Sequence, residues 1–179
     1  MKIYVDMDDT LFDFKRSYND WKLRVPQHPY PQAQYGFFAN LEPFPDALWA
    51  WNELKRFGEV YFLTAPSIMN PLCYTEKRVS VEKHFGLEAC HNLIICEDKS
   101  LLRGDLLIDD RHDSNKQHEF VGDFIHFGTE QFPDWKYIIG WMDWRYNDDM
   151  IKWINENPEE WLRFNHGTSK ENDDDTRCA

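Results

Sequence analysis

The sequence predicts an α/β domain built on a parallel sheet, and three observations carry that prediction. Short apolar runs rich in β-branched and aromatic residues alternate with longer amphipathic stretches. Each run is only four or five residues long, as strands buried on both faces are. Four of the runs end in acidic, hydroxyl or lysine side chains, and the carboxyl ends of parallel strands are where α/β sheets bind ligands.

The elements follow in order. Lys2–Asp6 is the first expected strand, Glu59–Leu63 the second, Asn92–Cys96 the third, Asp105–Ile108 the fourth and Phe124–Phe127 a weaker fifth. Between them, Asp46 is placed to cap a helix with Leu48, Trp51 and Leu54 on one face, ending at Gly58. A second helix is expected from Tyr74 to Phe85, stopped by Gly86. A third starts at Asn147, with Met150, Ile151 and Ile154 on one face and Pro158 beyond. Residues 26–45 hold five of the nine prolines and read as an irregular insertion after the first strand. Residues 165–179 are polar, contain Asp173–Asp175 and lack aliphatic side chains, so they read as a disordered acidic tail.

The bulk properties narrow the function. A chain of 179 residues is one domain's worth, and 16 % aromatic content is incompatible with disorder. A net charge of −12 with no basic run argues against a nucleic-acid polymer as partner. Without an apolar run near the roughly 18 residues of a membrane helix, no membrane partner is expected. The four cysteines, Cys73, Cys90, Cys96 and Cys178, lack close pairing and read as free thiols, and the location expected is cytoplasmic.

The strand ends carry the chemistry. The first ends in Asp6-Met7-Asp8-Asp9-Thr10, the second in Thr64-Ala65-Pro66-Ser67, the third in Glu97-Asp98-Lys99 and the fourth in Asp109-Asp110-Arg111. Each taken singly has an ordinary structural account: a solvated turn, a strand threonine, a surface lysine, a helix cap. All four in this order, each at its own strand end, point to one site. Carboxylates crowded together repel and raise one another's pKa, and a hard divalent cation with oxygen ligands relieves this.

These residues resemble the motifs of the haloacid dehalogenase superfamily. The stretches FFANLEPFPDA, VYFLTAPS, YTEKRVSVEKHFG and EDKSLLRGDLLIDDR resemble the 5′(3′)-deoxyribonucleotidase family within it, over about residues 2–128. The resemblance implies a three-layer Rossmann-like fold across residues 1–164, with a small cap inserted at about 15–45. It implies a magnesium-dependent phosphomonoesterase that hydrolyses deoxyribonucleoside monophosphates through an aspartyl-phosphate. Asp6 is then the nucleophile, Asp8 the general acid and base, and Thr64 and Lys99 the groups that hold the phosphoryl oxygens. Asp6, Asp110 and the backbone carbonyl of Asp8 would ligate Mg2+, with Asp109 in support. Phe14, Phe38, Ser67 and Lys77 would border the substrate, Lys77 ranking after Lys99 because a helix lysine facing solvent is its ordinary alternative.

The chain departs from the family at three places. Asp9 stands where Gly is usual, Ile68 stands where the mammalian enzymes have Lys, and the cap insertion is short. The rings of Tyr18, Trp21, Tyr30, Tyr35, Phe37 and Phe38 either stack on a base or pack the cap. Other readings are a phosphatase for another small ester such as a sugar phosphate, a phosphatase for a macromolecule, and a non-catalytic binding protein of the same fold. The tryptophan-rich stretch Trp135–Trp161 either packs on the domain or forms a homodimer contact.

Overall fold

The computed structural model describes residues 1–146, 152 and 155–160. The chain divides into two compact units, Met1–Gly140 and Trp141–Ala179. In the first, β1 (Lys2–Val5) leads to α1 (Phe14–Arg24), short 3-10 turns at Pro31–Ala33 and Phe38–Asn40, and α2 (Ala47–Leu54). Next come β2 (Glu59–Thr64), α3 (Cys73–Phe85), a 3-10 segment at Leu87–Asn92 and β3 (Leu93–Ile95). After a turn at Lys99–Leu101 come β4 (Arg103–Asp109), a turn at Gln117–Glu119, β5 (Val121–His126) and α4 (Trp135–Tyr146). In the described part of the second unit α4 runs on to Tyr146, whose ring meets that of Trp141 edge-on at 5.8 Å.

All five strands are parallel, in the order β3-β2-β1-β4-β5. The strand order reverses between β1 and β4, which fixes a ligand crevice at their carboxyl ends. Val5 lies opposite both Phe62 and Ile108, so these side chains share one face. That face is covered by α2 and α3: Trp51 stacks on Phe62 at 3.8 Å, and Phe85 meets both rings edge-on. On the other face Tyr4, Leu63 and Leu107 pack with Phe120 and Leu102. Burying this many aromatic side chains, each worth roughly 1.5–3 kcal/mol against exposure, provides the core that a polar site at the sheet edge needs.

Every strand expected from the sequence is present, with shifted ends. β4 starts two residues earlier and β5 three residues earlier. The α3 boundary at Gly86 is as expected: φ is +92°, and its N–H donates to the Glu82 carbonyl at 3.1 Å.

Three expectations need correction. In α2 the buried face is Ala47, Ala50, Trp51 and Leu54, while Leu48 is exposed. The helix begins at Ala47, so the i, i+3, i+4, i+7 face leaves Leu48 on the flank. Asp46 is the cap residue by position, but its side chain makes no capping bond. Gly58 does not end α2, which stops at Leu54; a Cβ at Gly58 would lie 2.1 Å from the Met1 carbonyl oxygen, so glycine permits the chain entering β2 to pass β1.

Within residues 15–45 the structure holds α1, capped by Asp13 Oδ1 accepting from Arg16 N–H at 3.0 Å, and two 3-10 turns. Trp135 packs on the domain: its indole N–H donates to the Thr10 carbonyl at 3.1 Å. The helix expected from Asn147 and the acidic tail lie outside the described residues. Among the described residues no helix is long and apolar enough to cross a membrane.

Candidate active site

The strand ends deliver their side chains to one cavity of about 240 Å3. Asp6 and Asp8 come from the loop after β1, Thr64 and Ser67 from the end of β2 and the loop beyond, Lys99 from the turn after β3, and Asp109 and Asp110 from the end of β4. Phe14 and Phe38 close it from the insertion. The β ladder continues into the site, since Asp6 N–H donates to the Ile108 carbonyl at 2.9 Å. Thr10 ties the two central loops together, its hydroxyl accepting from Asp110 N–H at 3.1 Å.

Lys99, Lys77 and Asp109 are the deepest charges of the site, and Lys99 lies between two carboxylates. Its ammonium is buried and lies 2.5 Å from Asp6 Oδ1 and 2.5 Å from Asp109 Oδ2. Burial alone would lower its pKa, but the two carboxylates outweigh that and hold it above the ordinary lysine value. Asp109 also accepts from Arg111 N–H at 2.9 Å and from the Gln117 amide at 3.2 and 3.3 Å. Asp109, itself held by these donors, therefore fixes Lys99 together with Asp6.

Asp6, Asp109 and Asp110 each offer a carboxylate oxygen, and these lie within 4.8 Å of one another. Burial pushes the Asp110 carboxyl up to about 7, with Asp6 and Asp109 adding to the shift. Asp109 is pushed up to about 6 by burial and by Asp6, against the pull of Lys99. Three hard oxygen donors that repel one another are a donor set suited to Mg2+.

Asp8 points elsewhere. Its Oδ2 accepts from the Lys77 ammonium at 2.8 Å, while its Oδ1 is buried and has no partner. Burial raises its pKa, opposed first by Lys77 and reinforced by Asp6. The Asp8 carboxylate is thus outside the three-carboxylate cluster, so any share in a metal site falls to its backbone carbonyl.

Lys77, expected to border the substrate, is not among the residues that line the cavity. It does not face solvent: it is buried, donates to Thr64 Oγ1 at 2.6 Å as well as to Asp8, and sits 5.1 Å from the centre of the Phe38 ring. It stands one layer behind the cavity wall, contacting two residues that line it. Ile68, where the mammalian enzymes have Lys, is exposed.

The aromatic insertion packs around Phe14, whose ring stacks on Tyr18 at 6.0 Å and meets Phe37 at 5.3 Å. Phe37 is buried in that packing, whereas Tyr30 and Tyr35 are exposed. Asp9 has φ +59°, the left-handed region, which explains why glycine is usual there. Its carboxylate offsets part of the cost by accepting from Lys15 N–H at 2.8 Å.

Three contributors escape sequence reasoning. Glu76 is buried on α3 and clamps the insertion, accepting from Gly36 N–H at 2.7 Å, Phe38 N–H at 3.0 Å and Asn70 Nδ2 at 3.1 Å. Gln117 orients Asp109, and Gln32 lines the cavity with a buried, unpartnered Oε1. The stretch YTEK contains Glu76 but implies no role for it, and no motif marks Gln117 or Gln32.

Comparison with known proteins is consistent with this geometry. Residues 24–155 match the family model described as 5′ nucleotidase, deoxy (pyrimidine), cytosolic type C protein. A protein of Vibrio phage KVP40, which carries the provisional name 5′(3′)-deoxyribonucleotidase, is 35 % identical over 143 residues, spanning 78 % of this chain and 83 % of its own. The human cytosolic-type 5′(3′)-deoxyribonucleotidase is 29 % identical over 170 residues, covering 78 % of this chain and 79 % of its own. The mouse mitochondrial 5′(3′)-deoxyribonucleotidase is likewise 29 % identical, covering 78 % and 72 %.

Proposed function

Because this chain belongs to the 5′(3′)-deoxyribonucleotidase family, a family of phosphoric monoester hydrolases, we propose that it hydrolyses deoxyribonucleoside monophosphates to nucleoside and phosphate with Mg2+ bound. One observation carries the reading. Asp6 lies at the strand-order switch point held by Lys99, beside an Asp8 whose raised pKa and unpartnered oxygen suit a proton donor.

In the first step an Asp6 oxygen attacks phosphorus, the P–O bond to the nucleoside breaks, and Asp8 gives its proton to the departing alkoxide. In the second, Asp8 takes a proton from water, which attacks phosphorus and displaces the Asp6 carboxylate. Phosphate leaves and both groups return to their starting states. Asp8 must begin protonated, and burial among negative neighbours favours that. Lys77 limits the rise, which keeps Asp8 able to give the proton away.

The Lys99 ammonium and the Thr64 hydroxyl are placed to meet charge on the phosphoryl oxygens. Phe14, Phe38 and Ser67 line the cavity and would border the leaving group. Asp6, Asp109 and Asp110, with the Asp8 carbonyl, would hold Mg2+. When bound, the ion supplies positive charge that offsets repulsion between the nucleophile and the phosphoryl group. Cys73, Cys90 and Cys96 are free, which suits the reducing cytoplasm that this reading assumes.

The test is phosphate release from dUMP, dTMP, dGMP, UMP, 3′-dUMP and a sugar phosphate, with Mg2+ or chelator. Deoxynucleotide turnover lost with chelator and in Asp6→Asn is the expected result. Turnover of the sugar phosphate alone would retain the chemistry and reject the nucleotide. Undiminished activity in Asp6→Asn would overturn the mechanism.

A further inference from the structure

Four buried side-chain atoms among the described residues have no hydrogen-bond partner: Asp8 Oδ1, Gln32 Oε1, Ser80 Oγ and His84 Nε2. Only the first two belong to residues that line the active-site cavity. Asp8 Oδ1 has a use in proton transfer. Gln32 Oε1 does not, and a buried acceptor without a donor is costly to keep.

Its position is fixed. Gln32 sits in the 3-10 turn Pro31–Ala33, where Pro31 is buried and holds its own φ. Ala33 N–H donates to the Tyr30 carbonyl at 3.0 Å and Gln34 N–H to the Pro31 carbonyl at 3.0 Å. The Gln34 carbonyl accepts from Asn70 Nδ2 at 3.3 Å, and Glu76 clamps Gly36 and Phe38 just beyond. The acceptor is thus held on a short, braced turn rather than on a free loop, as a recognition group should be.

The chemistry of a carboxamide oxygen selects its partner. A phosphate dianion has no hydrogen to give, and the cation that suits it, Lys99, lies on Asp6 and Asp109. The partner must carry an O–H or N–H. At about 240 Å3 the cavity is smaller than the roughly 300–1000 Å3 of pockets that enclose a drug-sized ligand. It therefore takes the phosphate and the part bonded directly to it, leaving the base toward the mouth. In a 5′-nucleotide that part is the pentose, and its donor is the 3′-hydroxyl.

We infer that Gln32 is a specificity-determining residue whose side-chain oxygen accepts a hydrogen bond from the free hydroxyl of the substrate's pentose. The inference rests on the nucleotidase reading and names the sugar contact within it. With the hydroxyl removed, the buried oxygen stays unpaired on binding, and discrimination of roughly 10- to 100-fold follows.

The experiment compares kcat/KM for dUMP and its 2′,3′-dideoxy counterpart, with Mg2+, in the wild type, Gln32→Met and Gln32→Glu. Methionine keeps the length and removes the acceptor; glutamate keeps an acceptor. The wild type is expected to prefer dUMP at least tenfold, Gln32→Met to reduce the preference to about twofold or less, and Gln32→Glu to retain it. Because the readout is a ratio within each protein, partial loss of folded material cancels. A wild-type ratio near one overturns the inference without any variant, and so does an undiminished ratio in Gln32→Met. Failure of the wild type on both nucleotides, with turnover of a non-nucleotide ester, rejects the nucleotidase reading itself and the sugar contact with it.

Discussion

Removing the Glu76 carboxylate tests how the aromatic insertion is held over the site. In Glu76→Ala three donors lose an acceptor, and Asn70 Nδ2 alone keeps a second one, the Gln34 carbonyl at 3.3 Å. Phe38 N–H and Asn70 Nδ2 lie in buried contacts and Gly36 N–H in a partly buried one. Stranding a buried donor costs about 1–3 kcal/mol; Phe38 N–H is fully stranded, Asn70 Nδ2 keeps one acceptor and water can reach the Gly36 group, so the loss is about 2–4 kcal/mol. That is a large share of the roughly 5–15 kcal/mol by which a domain is stable. Glu76→Gln keeps one acceptor oxygen and should lose about half as much. Urea unfolding reads this as a lower midpoint at an unchanged slope. In the folded fraction Phe38 and Gln32 lose their anchor while Lys99 and Asp6 keep theirs. KM should therefore rise by about tenfold or more, with kcat falling less. A stability loss under about 1 kcal/mol in Glu76→Ala, or an unchanged KM, would refute the clamp.

Three further perturbations follow from single contacts. Asp9→Ala keeps a Cβ at φ +59° but removes the acceptor of Lys15 N–H, so it should cost about 1–2 kcal/mol; Asp9→Gly loses the same acceptor but relieves the left-handed strain and should cost less, and thermal melts of the two decide it. Lys77→Met removes a charge 2.8 Å from Asp8, worth about 1.5 kcal/mol at the dielectric constant of water and about 6 kcal/mol at an effective value of 20. Asp8 should then stay protonated to higher pH, moving the basic limb of the pH–kcat profile up by at least about one unit; a downward shift would reverse the assigned role. Asp109 and Asp110 have folded pKa values of about 6 and about 7, above the ordinary 3.8, so the metal-free fold binds protons more readily than the unfolded chain. Their contribution to stability is therefore present at low pH and lost as pH rises through about 7. Mg2+ should raise the melting temperature more at pH 7.5 than at pH 5.5, and a larger shift at pH 5.5 would contradict the assigned donors.

What was legible in the sequence is what strand ends and apolar runs encode. Asp6, Asp8, Thr64, Lys99, Asp109 and Asp110 were readable because each follows a run that could only be a buried strand, and the order of the runs brings them to one edge. α1 was not read as a helix: Phe14, Tyr18 and Trp21 do recur at i, i+4 and i+7, but they read equally as rings of an irregular insertion, and none of the residues of α1 is buried. α4 did carry a signal, because Trp135, Ile138 and Ile139 are buried at i, i+3 and i+4, but tryptophans all round the helix obscure it.

The ordinary alternative for Lys77, a helix lysine facing solvent, does not hold, and the reason is general. The buried face of α3 is Cys73, Glu76, Lys77, Ser80 and Val81, a regular i, i+3, i+4, i+7, i+8 stripe. The geometry is that of an ordinary core-facing helix, but three of the five side chains are polar or charged. Hydrophobic periodicity therefore reports a featureless helix where the structure has a committed one. The two charged groups on that face each have work that water would otherwise do: Glu76 takes three donors from the insertion and its neighbouring loop, and Lys77 takes Asp8 and Thr64, while the small Ser80 hydroxyl is left without a partner. Adjacent in sequence, these two residues make α3 the part of the fold that ties the leaving-group side of the cavity to the proton-transfer side. A helix whose buried stripe is polar at helical spacing is thus a mark of function that a search for apolar faces passes over.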